Sequence, residues 1–342
     1  MEVIDKVLLD ILVCPNCHSR LVFKDKNFFC SRCQEKFSSQ NDIFSFLPKN
    51  FKTEEGFKFK EAQIKFFDEW SDRKRTNQNF KKNSFESFFF SEGKRARINF
   101  SKTEIEKTIA QLPAGAVVLE LGCGAGEHTA FMAKLRNDIH LVAIDISPKS
   151  VLETRERIKT DQKVKSKLSF LIADAEALPF KNKSIDCVMA VMFYHHVANP
   201  QKSVKEIKRI MSLRGIALIV DMISNNPLNT LPRKIFPYFP NSIKKKLSND
   251  YLLKNCDIPL VSLHSSSEIK RIIKQSKLKV TSENRYDLFV FFIYHLAIIF
   301  PILKKVFPRS FLEKIYLFEN NILKKNMFNN LAAVISLCVS QN

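Results

Sequence analysis

Three of the seven glycines in this 342-residue chain fall within five positions, in the stretch LELGCGAGEH at residues 119–128. Glycine loses more conformational entropy on folding than any other residue, so a glycine-poor chain gains from concentrating it only where the backbone needs it. Gly122, Gly124 and Gly126 follow the apolar run AVVLEL, which predicts a buried strand that ends in a turn. The turn indicates a backbone that a ligand approaches closely.

Apolar runs and amphipathic segments alternate from residue 115 onward. The predicted strands after the first are HLVAIDI, KLSFLIAD, SIDCVMAVMF and GIALIVDMI, and the predicted helices include SPKSVLETRERIKT and QKSVKEIKRIM. This rhythm predicts an α/β fold with a doubly wound, mainly parallel sheet. Ligands of such sheets bind at the carboxyl ends of the strands, beside the first one, where the glycine turn lies.

Acidic residues follow three successive predicted strands. A dinucleotide-binding turn has the spacing G-x-G-x-x-G, whereas this one reads G-x-G-x-G and follows Glu120, whose carboxylate repels a diphosphate and attracts an ammonium group. S-adenosylmethionine has an amino-acid end, a sulfonium cation and no phosphate. We therefore expect Glu120 at its amino group, Asp145 at its ribose and Asp174 at its adenine. The predicted cofactor site comprises Glu120, Gly122, Cys123, Gly124, Gly126, Asp145, Ile146, Asp174, Ala175 and Met192.

Five stretches of the chain resemble successive motifs of class I S-adenosylmethionine-dependent methyltransferases, above all the branch of ubiquinone and menaquinone biosynthesis. They read VLELGCGAGEHTA, AIDIS, ADAEALPF, SIDCVMAVMFYHHVANP and LRGIALIV, within residues 115–223. The resemblance implies a seven-stranded sheet whose last strand is antiparallel. The C-terminal run NLAAVISLCVSQ fits that strand, beside KLKVTSENRYD.

The segment FYHHV follows the fourth predicted strand, where the transferred methyl group would lie. Methyl transfer depends mainly on alignment, but a hydroxyl acceptor also benefits from a base, and histidine titrates in the useful range. His195 and His196 are therefore candidate catalytic residues. The alternative is that both histidines only line the site.

Four of the eight cysteines form two C-x2-C pairs near the N-terminus: Cys14, Cys17, Cys30 and Cys33. Two such knuckles on a short hairpin form a tetrahedral thiolate site, which suits a structural zinc because no coordination position stays open. Residues 7–48 resemble the small zinc-ribbon family known as the activator of tRNA and protein methyltransferases. The scattered remaining cysteines are typical of a reduced, cytoplasmic protein.

We expect three parts: a zinc ribbon at 1–48, a helical lead-in or cover at 49–110, and a methyltransferase domain at 111–342 with insertions at 224–263 and 288–330. The second insertion opens with LFVFFIYHLAIIFPIL, sixteen residues without Asp, Glu, Lys or Arg, and basic residues follow. This pattern indicates an interfacial helix that contacts an anionic membrane, on the inner face of the cytoplasmic membrane. A buried cover helix or a dimer face is the alternative.

The formal net charge is +20. Such a charge indicates either an anionic partner, which would be nucleic acid or a membrane, or compositional drift. Three basic clusters are spread along the chain: Arg73–Lys74–Arg75, Lys163–Lys165–Lys167 and Lys244–Lys245–Lys246. The leading hypothesis is methyl transfer to a small-molecule or lipid-linked acceptor. The alternatives are a methyltransferase acting on rRNA or tRNA and a non-catalytic, methyltransferase-like adaptor.

Overall fold

The computed structural model describes residues 5–52, 56–76, 85–223, 264–286 and 334–341. Both expected insertions, 224–263 and 288–330, lie outside the described residues, and so does the apolar run at 288–303. Within the described part of the chain, no helix is long and apolar enough to cross a membrane.

Seven strands form the body of the large sheet: β6 (Val117–Leu121), β7 (His140–Asp145), β8 (Lys167–Ile172), β9 (Ile185–Val191), β10 (Met211–Met222), β11 (Leu278–Tyr286) and β12 (Val334–Gln341). Their spatial order is β8, β7, β6, β9, β10, β12, β11. Strands β6 to β10 are parallel, and β12 is antiparallel to both of its neighbours. The predicted doubly wound sheet with an antiparallel last strand is confirmed.

Helices cover both faces of this sheet: α3 (Phe85–Ala110), α4 (Glu127–Met132), α5 (Pro148–Lys159), α6 (Pro200–Ile210) and α7 (Ser266–Gln275). Strand β6 is buried along its whole length because its side chains alternate between two cores. Leu119 packs with residues of α6 and α7, whereas Val118 packs with residues of α3 and α4. This strand is the rigid centre from which the glycine turn projects.

The N-terminal segment contains helix α1 (Lys6–Ile11) and a small antiparallel sheet of β1 (Leu21–Lys24), β2 (Asn27–Cys30) and β3 (Lys36–Phe37). Its apolar residues are not a separate core. Phe28, Phe37 and Phe46 belong to the same buried cluster as Leu119 of the central strand.

Two further strands, β4 (Ser39–Gln40) and β5 (Ile43–Ser45), extend the large sheet to nine strands. Strand β5 runs parallel to β8, with Phe44 opposite Leu171 and Ser45 opposite Ile172. The Phe46 amide continues the pairing by donating to the Ile172 carbonyl at 2.8 Å. This pairing is not predictable from the sequence, because nothing local in NDIFSFLP distinguishes a tail from an edge strand.

Helix α2 (Phe57–Thr76) precedes the sheet in sequence and lies across its carboxyl end. Lys60 contacts Asp174 after β8, and Asp68 accepts a hydrogen bond from Ser147 after β7. Further along, the Phe67 ring meets His196 after β9 edge-on, at a centroid distance of 5.1 Å. In the described part of residues 49–110, it is α2 that lies over this end of the sheet.

Candidate cofactor and active site

The glycine turn connects β6 to α4, and its three positions require glycine for different physical reasons. All three have positive φ, a backbone region that other residues rarely adopt. A Cβ on Gly122 would lie 2.5 Å from the Phe193 ring, and one on Gly126 would lie 2.9 Å from the Thr154 hydroxyl. A Cβ on Gly124 would meet nothing within 4 Å, so this position faces open space. Of the three, Gly124 is the one placed to lie against a ligand.

Glu120 lies at the end of β6 and is 3% exposed. It accepts a hydrogen bond of 2.5 Å from the Thr129 hydroxyl on α4. Burial raises the pKa of this carboxyl to about 8, against the lowering effect of Thr129, and the charge of Asp145 raises it further. A cation bound beside Glu120 would therefore stabilise its ionised form.

Asp145 ends β7 and is partly buried beside the glycine turn. Its two carboxylate oxygens accept hydrogen bonds of 2.9 Å from the backbone amides of Gly124 and Ser147. These bonds fix the carboxylate while leaving each oxygen a second lone pair for hydroxyl donors. Burial raises the pKa of Asp145 to about 6, and this effect outweighs the backbone hydrogen bonds, which lower the pKa.

Asp174 follows β8, as predicted, but its carboxylate is already engaged. Oδ2 receives a bond of 2.7 Å from the Lys60 ammonium, and Oδ1 receives one of 2.9 Å from the Glu176 amide. Lys60 also lies 3.0 Å from the Glu176 carboxylate, and all three side chains are at most 4% exposed. In this conformation of α2, an adenine amino group would have to share Asp174 with Lys60.

His195 lies in a single 3-10 turn, Tyr194–His196, directly after β9. Its Nδ1 lies 2.5 Å from Oδ1 of Asp221, and its backbone amide donates to Oδ2 of the same residue at 3.0 Å. Met192, just before this turn, has a φ of 54°, which an unbranched non-glycine residue adopts at some energetic cost. The strand end is thus bent so that His195 faces the end of β10.

The remaining predicted residues line the same edge of the sheet. Cys123 is buried in the glycine turn, and burial raises the pKa of its thiol well above the ordinary value, which disfavours the thiolate. Ile146 follows Asp145 directly and is partly buried, Ala175 is buried beside Asp174, and His196 is partly buried next to His195. The structure therefore brings all the predicted cofactor and catalytic residues to one end of the sheet.

Four cysteine sulfurs meet in the N-terminal segment. The Sγ atoms of Cys14 and Cys33 are 3.5 Å apart, those of Cys17 and Cys30 are 3.4 Å apart, and all four lie within 4.8 Å of one another. A tetrahedral zinc with bonds of about 2.3 Å holds its sulfurs roughly 3.8 Å apart, so the spacing fits. The cluster is suited to a metal.

The N-terminal segment also contacts the loop that follows Asp174. The Val13 amide, next to Cys14, donates to the Pro179 carbonyl at 2.9 Å, and the Lys181 amide donates to the Ile11 carbonyl at 2.8 Å. From the other side, Arg209 donates to the Phe180 carbonyl at 2.6 Å. The cysteine cluster and the cofactor edge therefore share one loop.

Three residues at this edge of the sheet are not among those predicted from the sequence: Lys60, Asp68 and Asp221. Asp221 carried a signal, because it is a fourth acidic residue at the end of a predicted strand, in GIALIVDMI. Lys60 and Asp68 carried none, since their partners lie far away in the chain and only the packing of α2 brings them together.

The strand order, with its antiparallel last strand, is the fold of class I methyltransferases. Residues 119–219 match the family model described as "Methyltransferase domain". This match covers the glycine turn, the strand-end acids up to Asp174 and both histidines.

Curated relatives match over a similar stretch. The chain is 27% identical over 112 residues to the ubiquinone/menaquinone biosynthesis C-methyltransferase of Blochmanniella pennsylvanica, which covers 33% of this chain and 44% of that protein. It is 33% identical over 110 residues to the 2-methyl-6-phytyl-1,4-hydroquinone methyltransferase of Synechocystis, which covers 32% and 33%. The match spans less than half the length of each relative.

Among solved structures, a putative methyltransferase from Bacillus halodurans is 17% identical, with a TM-score of 0.44 over 70% of this chain and 97% of that one.

Proposed function

We propose that this protein transfers a methyl group from S-adenosylmethionine to a small-molecule acceptor. The observation that carries the proposal is the open backbone at Gly124, flanked by the buried carboxyl of Glu120 and the fixed carboxylate of Asp145. A ligand with a cationic end and vicinal hydroxyls fits this arrangement better than a diphosphate does. The matched family model and the methyltransferase relatives support the same reading.

Each residue has a proposed part. Glu120 binds the amino group of S-adenosylmethionine, Asp145 accepts from its ribose hydroxyls, and Gly124 lets its methionine portion lie against the backbone. The sulfonium group makes the methyl carbon electrophilic, so the protein's main task is to align the acceptor with it. His195 and His196 lie where we expect that acceptor.

Titration calorimetry with S-adenosylmethionine tests the cofactor, and two glycines offer a matched pair. Gly124 and Gly115 both have positive φ, and a Cβ on either would meet no atom within 4 Å, so Gly124→Val and Gly115→Val impose a similar backbone strain. We expect Gly124→Val to abolish binding and Gly115→Val to keep it. Wild-type protein that binds no S-adenosylmethionine would favour the adaptor hypothesis instead.

A structural zinc in the cysteine cluster is part of the proposal. Cys14, Cys17, Cys30 and Cys33 would hold it, and with four thiolate ligands it would stabilise the N-terminal segment without taking part in the chemistry. Elemental analysis of purified protein should find one zinc per chain.

We also propose that the acceptor is lipid-linked and that the protein contacts an anionic membrane. Both proposals rest on the sequence alone, because the segments at 224–263 and 288–330 lie outside the described residues. The proposed test is flotation with anionic and neutral vesicles at low and high salt. Protein that never floats with anionic vesicles would leave a soluble acceptor as the better hypothesis.

RNA as the methyl acceptor receives less support from the described part of the chain. Lys167 begins β8 and Lys163 and Lys165 precede it, at the amino end of the sheet, whereas the proposed cofactor site lies at the carboxyl end. An RNA strand bound to this lysine cluster would be far from the glycine turn. Salt-sensitive RNA binding would reopen that alternative.

A further inference from the structure

Asp221 is a buried carboxylate surrounded by N–H donors. It ends the buried part of β10, its side chain is 1% exposed, and it accepts hydrogen bonds from the backbone amides of His195 (3.0 Å) and Met222 (2.7 Å). Its third partner is Nδ1 of His195 at 2.5 Å. Backbone amides only donate, so the carboxylate accepts both amide bonds, and an ionised carboxylate has only lone pairs to offer Nδ1 as well.

This arrangement selects one tautomer of His195. An accepting carboxylate at Nδ1 requires that nitrogen to carry its proton, which leaves the lone pair of a neutral imidazole on Nε2. The second bond, from the His195 amide to the same carboxylate, ties the ring to its own backbone. The ring therefore has a set orientation and a free basic nitrogen, which are the requirements for a general base.

The dyad lies at the same edge of the sheet as the proposed cofactor site. Phe193, two residues before His195, packs so closely on Gly122 that no side chain would fit there. The His195 and His196 rings lie 4.0 Å apart between centroids, tilted by 47°, and the His196 ring meets Phe67 of α2. Phe67 in turn meets Phe66 edge-on at 5.3 Å. Aromatic rings from α2 and from the turn after β9 thus adjoin the base.

We infer that Asp221 is a positioning residue that holds His195 as the general base, and that the acceptor is a phenolic hydroxyl. This inference rests on the proposed function and specifies its acceptor. The aromatic rings of Phe67 and His196 would suit a flat aromatic acceptor, whose hydroxyl supplies the proton for which a positioned base is needed.

Nε2 of His195 takes the phenolic proton while the phenolic oxygen attacks the methyl carbon of S-adenosylmethionine. The O–C bond forms, the C–S bond breaks, and its electron pair returns to sulfur, which leaves S-adenosylhomocysteine and the methyl ether. Asp221 stabilises the resulting imidazolium, which then loses its proton to solvent.

The experiment measures transfer of labelled methyl groups from S-adenosylmethionine to 4-methoxyphenol, phenol and 4-nitrophenol, a series of rising acidity. Asp221→Asn and His195→Gln should lower kcat on 4-methoxyphenol by about 10²-fold or more. The loss should be much smaller on 4-nitrophenol, which ionises without help. The Kd for S-adenosylmethionine should change less than twofold in both variants.

Asp186→Asn is the matched control. Asp186 lies near the amino end of β9, and it accepts from the Val117 amide and the Ser212 hydroxyl. The substitution of Asp by Asn is the same as at Asp221 but lies far from the dyad, so kcat should stay at the wild-type value.

Two results would overturn the inference. An equal loss on all three phenols would make Asp221 a structural residue, because a structural defect does not depend on the acidity of the acceptor. Wild-type protein that binds S-adenosylmethionine but methylates none of the phenols would exclude a phenolic acceptor while leaving the proposed function intact. Failure to bind S-adenosylmethionine, in contrast, would count against the proposed function itself.

Discussion

Replacing Lys60 with methionine removes a buried cation from between two buried carboxylates. The Lys60 ammonium lies 2.7 Å from Asp174 and 3.0 Å from Glu176, and none of the three side chains is more than 4% exposed. Removing one partner of a buried ion pair typically costs about 3–5 kcal/mol, because the remaining charge is left without compensation. We expect Lys60→Met to lower the free energy of unfolding by about that amount at pH 7.5.

The loss should depend on pH. Burial, and then the charge of Asp174, already raise the pKa of Glu176, while Lys60 lowers it, so the variant should raise this pKa further. A carboxyl whose pKa is higher in the folded than in the unfolded state costs stability as the pH rises from the unfolded value, about 4.3, through the folded one. The deficit of Lys60→Met should therefore be smaller at pH 5 than at pH 7.5.

Denaturant unfolding of both proteins at the two pH values checks this prediction. Lys65→Met is the control, because Lys65 is exposed on the same helix and its replacement should change stability by no more than about 0.5 kcal/mol. A deficit that equals the control, or one that is the same at both pH values, would refute the argument that Lys60 neutralises a buried carboxylate pair.

Three other predictions concern the metal and the cofactor. Cys30→Ser should lose the zinc, as measured by elemental analysis. It should also weaken S-adenosylmethionine binding severalfold in calorimetry, because the Val13 amide supports the loop after Asp174 through Pro179. Unchanged affinity would show that the two sites are not coupled. Asp145→Ala should weaken the same binding by about 1.5–3 kcal/mol, the range for hydrogen bonds to a charged group, and an unaltered Kd would place the ribose elsewhere. The affinity for S-adenosylmethionine should rise up to about tenfold between pH 6 and pH 7, because Glu120, with a pKa of about 8, must ionise to bind the cation. Glu120→Gln should flatten that profile, and a flat wild-type profile would contradict the assignment.

Much of the cofactor edge could be predicted from sequence because its determinants are local. A buried strand is a short apolar run, its end is marked by a polar residue, and the positions of Glu120, Asp145 and Asp174 follow directly. A tight turn needs glycine, which identified the loop, although only contacts could show that Gly122 and Gly126 serve packing and Gly124 faces open space.

The unpredicted parts depend on contacts between distant segments. Lys60 is one basic residue among many in a helix with no local sign of burial, and its role appears only when α2 crosses the end of β8. The His195–Asp221 dyad joins the ends of two adjacent strands. Its acidic member looked like an ordinary strand end, because the spacing of residues along the chain does not state which side chains face each other.

The pairing of β5 with β8 has a consequence for how the chain is made. Phe44 is synthesised well over a hundred residues before its partner Leu171, and domains generally fold from the N-terminus during translation. Until β8 has been synthesised, the N-terminal segment therefore lacks the strand with which β5 pairs, and the segment is too small to bury a sufficient core by itself. Zinc captured by the four cysteines would hold it folded during that interval. In cells short of zinc, newly made chains should emerge with β8 as an open, unpaired edge, and they should aggregate through it.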